Sequence, residues 1–552
     1  HAITVNVRRM GGGFGGKETQ SNLFAAVAAL AAKKYNQAVK IRPDRDDDMI
    51  ATGKRHDFLV DYDVGFNDDG KIEALDATFA ARCGNSADLS GPVTDRALFH
   101  ADNCYYYPDV ILKSKPYKTN TVSNTAFRGF GGPQGMIMGE LIMDDIAAKL
   151  GKDPLEIRKL NLYKKGRDTT PYHQTVEQHI LKDMISQLEE SGDYWARKKA
   201  IKAFNASSPI IKKGLAMTPV KYGISFTVQH LNQAGALVHV YSDGSIHLNH
   251  GGTEMGQGLN TKIAQIVAHG FGVDFDAVSI SATRTDKVPN TSPTAASSGT
   301  DLNGMAALNA VNTIKERLIN FISEHFEADS QSIVFKDNLI TFSKGEISFS
   351  ELANLAYMNR ISLSSTGYYA TPKIHYDRAK GEGRPFFYYA HGVALSEVEV
   401  DTLTGENTVT RVDILHDVGS SINPALDIGQ IEGAFVQGMG WLTTEDLQWN
   451  DKGQLASFGP ANYKIPAIGD TPAEFNVNLY NSANPETTVF RSKAVGEPPF
   501  MLAFSVWSAI RNAISSVADY KYTAPLDTPA TPERVLNAIE QTASWFKEQQ
   551  HG

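Results

Sequence analysis

Apolar and polar residues alternate over Ile3-Thr4-Val5-Asn6-Val7, which predicts a strand, and an Ala-rich stretch at about 21–34 carries the spacing of a helix. Further amphipathic helices are predicted near 136–150, 259–269, 302–326 and 500–514. Asp153-Pro154 reads as an N-cap followed by proline at the first helical position, opening a short helix that runs to 162. Between alternating stretches lie Asn67-Asp68-Asp69-Gly70, Ser242-Asp243-Gly244, Thr404-Gly405 and Asp451-Lys452-Gly453, each a hairpin signal. Interleaved hairpins and helices indicate an α+β fold rather than one repeated βαβ unit. Turn formers and charge over 204–214 suggest a linker. The expected domains are therefore 1–205 and 206–552.

The joint between the first strand and the first helix is Gly11-Gly12-Gly13-Phe14-Gly15-Gly16-Lys17-Glu18. As G-x-G-x-x-G it fits a dinucleotide-binding turn, and the next acidic candidate for a ribose, Asp44, comes after Pro43 and late in spacing. As a phosphate-binding P-loop it fails at Glu18, because a carboxylate stands where a hydroxyl should hold magnesium. A plain strand-to-helix turn that needs glycine is the simpler alternative. Its Gly-Phe-Gly-Gly recurs at 129–132.

This joint has companions. Glycine-rich or small-residue loops precede predicted helices at 127–135, 251–258, 294–300 and 495–499, and each can aim backbone N–H groups at an anion. One dinucleotide needs a single such loop, so five of them point to a large, elongated anionic ligand, such as a pterin with a phosphate arm. Within these loops Glu497, between glycine and two prolines, is either a surface glutamate favoured by a helix start or a positioned general base. Arg128 is either a surface arginine or an anion anchor.

Composition narrows the ligand further. The chain has 552 residues, 42% hydrophobic and 21% charged, with a net charge of −9. No global basic field recruits nucleic acid or an anionic membrane, so an anion must be held locally. Only Cys83 and Cys104 occur, which excludes a disulfide framework, a structural zinc site and a cysteine-ligated iron–sulfur cluster within this chain. Buried, reduced thiols and no evident bilayer-spanning run suggest a cytoplasmic protein. His247 and His250 would face opposite sides of a strand, which argues against a metal pair. Neither H-E-x-x-H nor G-x-S-x-G occurs.

Six segments together resemble the molybdenum-cofactor portion of the xanthine dehydrogenase family of molybdenum hydroxylases: 11–18, Arg-Ala-Leu-Phe-His at 96–100, Asn-Thr-Ala-Phe-Arg-Gly-Phe-Gly-Gly-Pro-Gln at 124–134, Gly-Gly-Thr-Glu-Met-Gly-Gln-Gly at 251–258, Pro-Thr-Ala-Ala-Ser at 293–297 and Lys-Ala-Val-Gly-Glu-Pro-Pro at 493–499. The resemblance spans nearly the whole chain. It implies two elongated molybdopterin-binding domains and a molybdenum–molybdopterin cofactor with a sulfido ligand, held without direct side-chain ligation. Glu497 matches the catalytic base. Glu18 and Arg96 match the pair that binds a purine, a pair usually missing from related aldehyde oxidases, and Phe130, Phe226 and Thr227 match further substrate contacts. Phe14, Arg128 and Ala296 match residues lining the molybdenum, and Gly15, Gln257, Ala295, Ser297 and Gln437 fall in pterin-contacting segments. The implied reaction hydroxylates hypoxanthine and xanthine with oxygen from water.

FAD and 2Fe–2S clusters are then expected on partner chains or missing segments, in an oligomer of the divided bacterial type. The chain starts at His1 without Met and lacks the family's preceding domain, with its glutamine near the metal, so it reads as a fragment. An aldehyde or N-heterocycle hydroxylase of the same fold and a cofactor-free structural subunit are the alternatives.

Overall fold

The computed structural model describes residues 4–7, 10–289, 291–522 and 525–551. Ile3 of the expected first strand lies outside the described residues, while Asn6–Val7 forms a strand antiparallel to Thr283–Arg284.

At the centre is a four-stranded sheet in the order Glu474–Leu479, Asn407–His416, Tyr388–Asp401, Ile211–Ile224. The last two pair antiparallel in continuous register from Tyr388 opposite Ile224 to Asp401 opposite Ile211. Both faces of this sheet are covered, so its strands read as apolar runs rather than as alternation. On one face Ala216, Val220, Tyr222, Ala394 and Val398 pack with Phe435, Met439, Phe504 and Ile510 from the helices Pro424–Thr443 and Phe504–Ser515. On the other, Leu215, Met217, Val393 and Leu395 join Met184, Ile185 and Leu188 of Leu181–Ser191 and a core drawn from the first third of the chain.

That first core lies between the helix Gly132–Leu150 and a three-stranded sheet, Phe58–Phe66, Ile72–Arg82 and Asp109–Tyr117. Along Phe58–Phe66 every second residue faces solvent, as expected for a strand covered on one side. A third core joins the sheet Ser364–Ala370, Gln233–Val240, Ile246–His250, Val278–Ile280 to the helices Leu259–Phe271 and Gly299–His325.

The α+β reading and the principal helices hold, the last with its first turn replaced by a 3₁₀ segment, Pro498–Ala503. The 204–214 linker does not hold as drawn. The helix Tyr194–Ser207 runs into it and the central strand begins at Ile211, because Asn205 bonds both ways with Lys213 and fastens the helix to the strand. The segment Pro498–Ala518 is apolar and long enough for a bilayer by length and composition, contrary to expectation, but 83% of its apolar window is buried in the central core. By contrast, the helix Ser21–Tyr35 buries no residue, and Leu23, Val27 and Leu30 face outward.

Candidate cofactor and substrate site

The repeated Gly-Phe-Gly-Gly has the same backbone shape at its phenylalanine and the glycine after it, while the leading glycine turns left-handed in the second copy alone, at Gly129 (φ 94°). Phe14 and Phe130 adopt φ of 47° and 51°, and the following Gly15 and Gly131 adopt 108° and 94°. Non-glycine residues rarely enter this region, and such strain concentrates at functional sites. The two turns pack against neighbouring backbone: a Cβ on Gly15 would collide with the Ala126 carbonyl, and one on Gly131 with that of Val93. Ala296 and Ser297 are also left-handed, at 55° and 58°.

Hydrogen bonds tie the five loops together. The Gly129 N–H donates to Glu497 Oε1 (3.0 Å), and Ser297 Oγ donates to Oε2 (3.0 Å) while accepting from the Glu497 N–H (2.9 Å). Arg128 Nε donates to the Gly496 carbonyl (2.7 Å), its Nη1 to Gln437 Oε1 (3.1 Å), and its guanidinium lies 5.8 Å from the Phe14 ring centre. The Met10 N–H donates to the Glu254 carbonyl, and the Thr253 N–H to Thr294 Oγ1. Loops from both ends of the chain thus enclose one place.

Burial drives Arg128 down to about 10, with Glu497 opposing, so it stays cationic at neutral pH. Burial also raises the Glu18 carboxyl above its ordinary value; Lys17, 3.5 Å away, opposes this, while Glu497 and Asp88 reinforce it. The Glu18 carboxyl therefore senses the charge of Glu497.

Arg96 is placed differently from expectation. It is 4% exposed in the last turn of Ser90–Phe99, and both terminal nitrogens donate to backbone, Nη1 to Ser225 O (2.9 Å) and Nη2 to Gly223 O (2.7 Å). Its plane lies against Tyr222 and Phe386. Only the buried Nε has no partner. The segment it braces continues into half-buried Phe226 and Thr227, where Asn232 holds both the N–H and the carbonyl of Phe226.

Gln257 is spent locally, accepting from Met255 N–H and donating to Thr253 O. In the same loop the expectation of free amides fails: Glu254 accepts the N–H groups of Gly256, Gly258 and Asn260, so this helix start already holds the protein's own anion. Asp44, the ribose candidate, instead caps the helix Arg45–Ala51 through the Asp47 N–H.

Three further residues shape the site, two of them, Arg55 and Tyr222, without any local sequence signal. Arg55 donates to the Arg128 carbonyl and lies among the rings of Phe127, Phe500 and Trp441. The Tyr222 hydroxyl donates to the Gly129 carbonyl. His100 accepts from the Gly223 N–H at Nε2, so its Nδ1 carries the proton donated to Arg96 O; burial and the cations Arg96 and Lys221 hold it neutral. Only the 96–100 segment hinted at this histidine.

Among the described residues no group of three His, Cys, Asp or Glu side chains is placed to hold a metal. The strained loops, Arg128 and Gln437 suit a polar, anionic carrier, and the residues fit a molybdenum–pterin cofactor.

Two family models, both described as molybdopterin cofactor-binding domain, match residues 1–162 and 187–472. Xanthine dehydrogenase/oxidase of Gallus gallus is 50% identical over 98% of this chain, which spans 38% of that protein. Quinoline 2-oxidoreductase from Pseudomonas putida 86 superposes with a TM-score of 0.85 at 25% identity, over 98% of this chain and 69% of the other. Aldehyde oxidoreductase from Desulfovibrio gigas gives 0.81 at 27%, over 96% and 54%. Together the two matches cover most of the chain, including all five glycine-rich or small-residue loops but the last, and the chain belongs to the molybdopterin cofactor-binding domain family.

Proposed function

We propose that this chain forms the cofactor and substrate site of a molybdenum hydroxylase acting on purines, with Glu497 as general base. The observation that carries this reading is the grip on the Glu497 carboxylate: the Gly129 N–H on Oε1 and the Ser297 hydroxyl on Oε2 fix its direction toward the shared site. When bound, the cofactor supplies the oxygen nucleophile derived from water and accepts the two electrons. Glu497 takes the proton of that nucleophile. Arg128 holds the Gly496 carbonyl and so keeps the Glu497 loop against the site. Glu18, sharing the pocket, accepts from the purine, while Phe130 and Phe226 stack on its faces. Arg96 offers its positive charge across the Gly223–Ser225 backbone, where negative charge grows on the ring. Phe14 and Ala296 line the metal; Gly15, Gln257, Ala295, Ser297 and Gln437 face the pterin.

Both cysteines are buried and unpaired, so electrons leave through iron–sulfur and flavin groups held on other segments or subunits. The commitment of both Arg96 terminal nitrogens to backbone favours a second reading, a less selective hydroxylase of aldehydes or other N-heterocycles.

The test uses the holoenzyme containing this chain, an artificial electron acceptor, and both a purine and an aldehyde. Glu497→Gln retains molybdenum and loses turnover of both by about 10²–10⁴-fold. Normal turnover in that variant would sink the assignment.

A further inference from the structure

Tyr388 opens the central strand Tyr388–Asp401 and is 4% exposed. Its hydroxyl accepts from the Ala494 N–H (2.8 Å) and donates to Asp301 Oδ2 (2.7 Å). Ala494 lies just ahead of Glu497 in the same loop. Asp301 stands in the first turn of Gly299–His325, directly after the loop that carries Ser297. On the other side Ser297 and Glu497 are doubly bonded. The two loops are therefore pinned twice, once at the carboxylate and once behind it, and the covalent chain closes the ring.

An acidic residue in a first helical turn is ordinarily explained by the helix dipole. Asp301, however, is 7% exposed and raised to about 7 by burial, with the Tyr388 hydrogen bond and Lys262 opposing. Its Oδ2 accepts from the Tyr388 hydroxyl. A buried carboxyl held this way costs stability unless its partner is fixed.

We propose that Tyr388 and Asp301 form a positioning strut that sets the distance between the Ser297 and Glu497 loops, and thereby the aim of the Glu497 carboxylate. The inference rests on Glu497 being the base. Tyr388 is a positioning residue, acting through Ala494 and Asp301.

In the holoenzyme, Tyr388→Phe keeps the ring and removes the strut. The expected result is a kcat lowered about 10-fold for purine and aldehyde alike, a KM changed less than about twofold, and unchanged molybdenum. Amide hydrogen exchange should quicken at 493–497 and stay unchanged at 11–18. Asp301→Asn, which keeps an oxygen for the tyrosine hydroxyl, should recover most of the rate lost in Asp301→Leu. Combined with Ser297→Ala, the loss in Tyr388→Phe should be less than additive, because both variants release one ring. Unchanged kcat and exchange in Tyr388→Phe, or strict additivity, would overturn the strut. Normal turnover in Glu497→Gln would remove the base while leaving the exchange result as an independent reading of the strut, so the two failures are distinct.

Discussion

Glu18 carries the argument at the scale of single residues. It spoils a P-loop, and in the fold its half-buried carboxyl lies beside Lys17 and under the influence of Glu497. If Glu18 orients the purine as a carboxylate, Glu18→Gln lowers purine turnover more than aldehyde turnover, and an equal loss for both counts against that role. Lys17 opposes the upward shift of Glu18, so Lys17→Met lets it rise further. Glu18 then ionises at a higher pH, and the acid limb of kcat/KM for purine moves to higher pH while that for aldehyde stays; a stationary purine limb contradicts the pairing. Glu497, Glu18 and Arg128 are legible in the chain because each sits inside a glycine-rich motif. Arg55, Tyr222 and Tyr388 are not, since their partners at 128, 129, 301 and 494 lie far away in sequence.

At the scale of elements, the loops are more specialised than their shared look suggests. The two Gly-Phe-Gly-Gly turns share left-handed phenylalanines, whereas the 251–258 loop satisfies its helix start with Glu254. A glycine-rich pattern reports backbone freedom, not which acceptor the amides meet. Gly131→Ala is expected to destabilise by more than about 2 kcal/mol, from the φ of 94° together with the collision against the Val93 carbonyl. Thermal unfolding of the variant against the parent measures this, and a midpoint within a degree of the parent would show the turn can relax. The hairpin signals at 67–70, 242–244 and 404–405 were reliable for a local reason: each turn residue acts on its own neighbours.

At the scale of the whole molecule, polar bonds hold the first core to the central sheet. Glu140, fully buried, accepts from Asn103 (2.7 Å), Tyr105 (2.8 Å) and Arg158 (2.7 Å), and Asn103 in turn donates to Pro219 O and accepts from Lys221 N–H. Arg158→Met leaves that carboxylate buried without its cation and should cost about 3–5 kcal/mol. Burial already raises Glu140 and Arg158 lowers it, so the variant's carboxyl takes up a proton on folding. That contribution is present at acid pH and lost as pH rises, and the deficit in unfolding midpoint should widen from pH 5 to pH 8. A deficit that narrows would refute the pairing.

The sequence by itself determined what depends on near neighbours: strand and helix periodicity, turn chemistry, the glycine loops and the motif residues Glu18, Arg96, Arg128 and Glu497. Only the tertiary structure decided which loops meet, that Arg96 spends its terminal nitrogens on backbone, that Glu254 occupies a helix start, and that the 204–214 segment is fastened rather than free. Those outcomes depend on which donor reaches which acceptor across hundreds of residues, and no local periodicity encodes that distance.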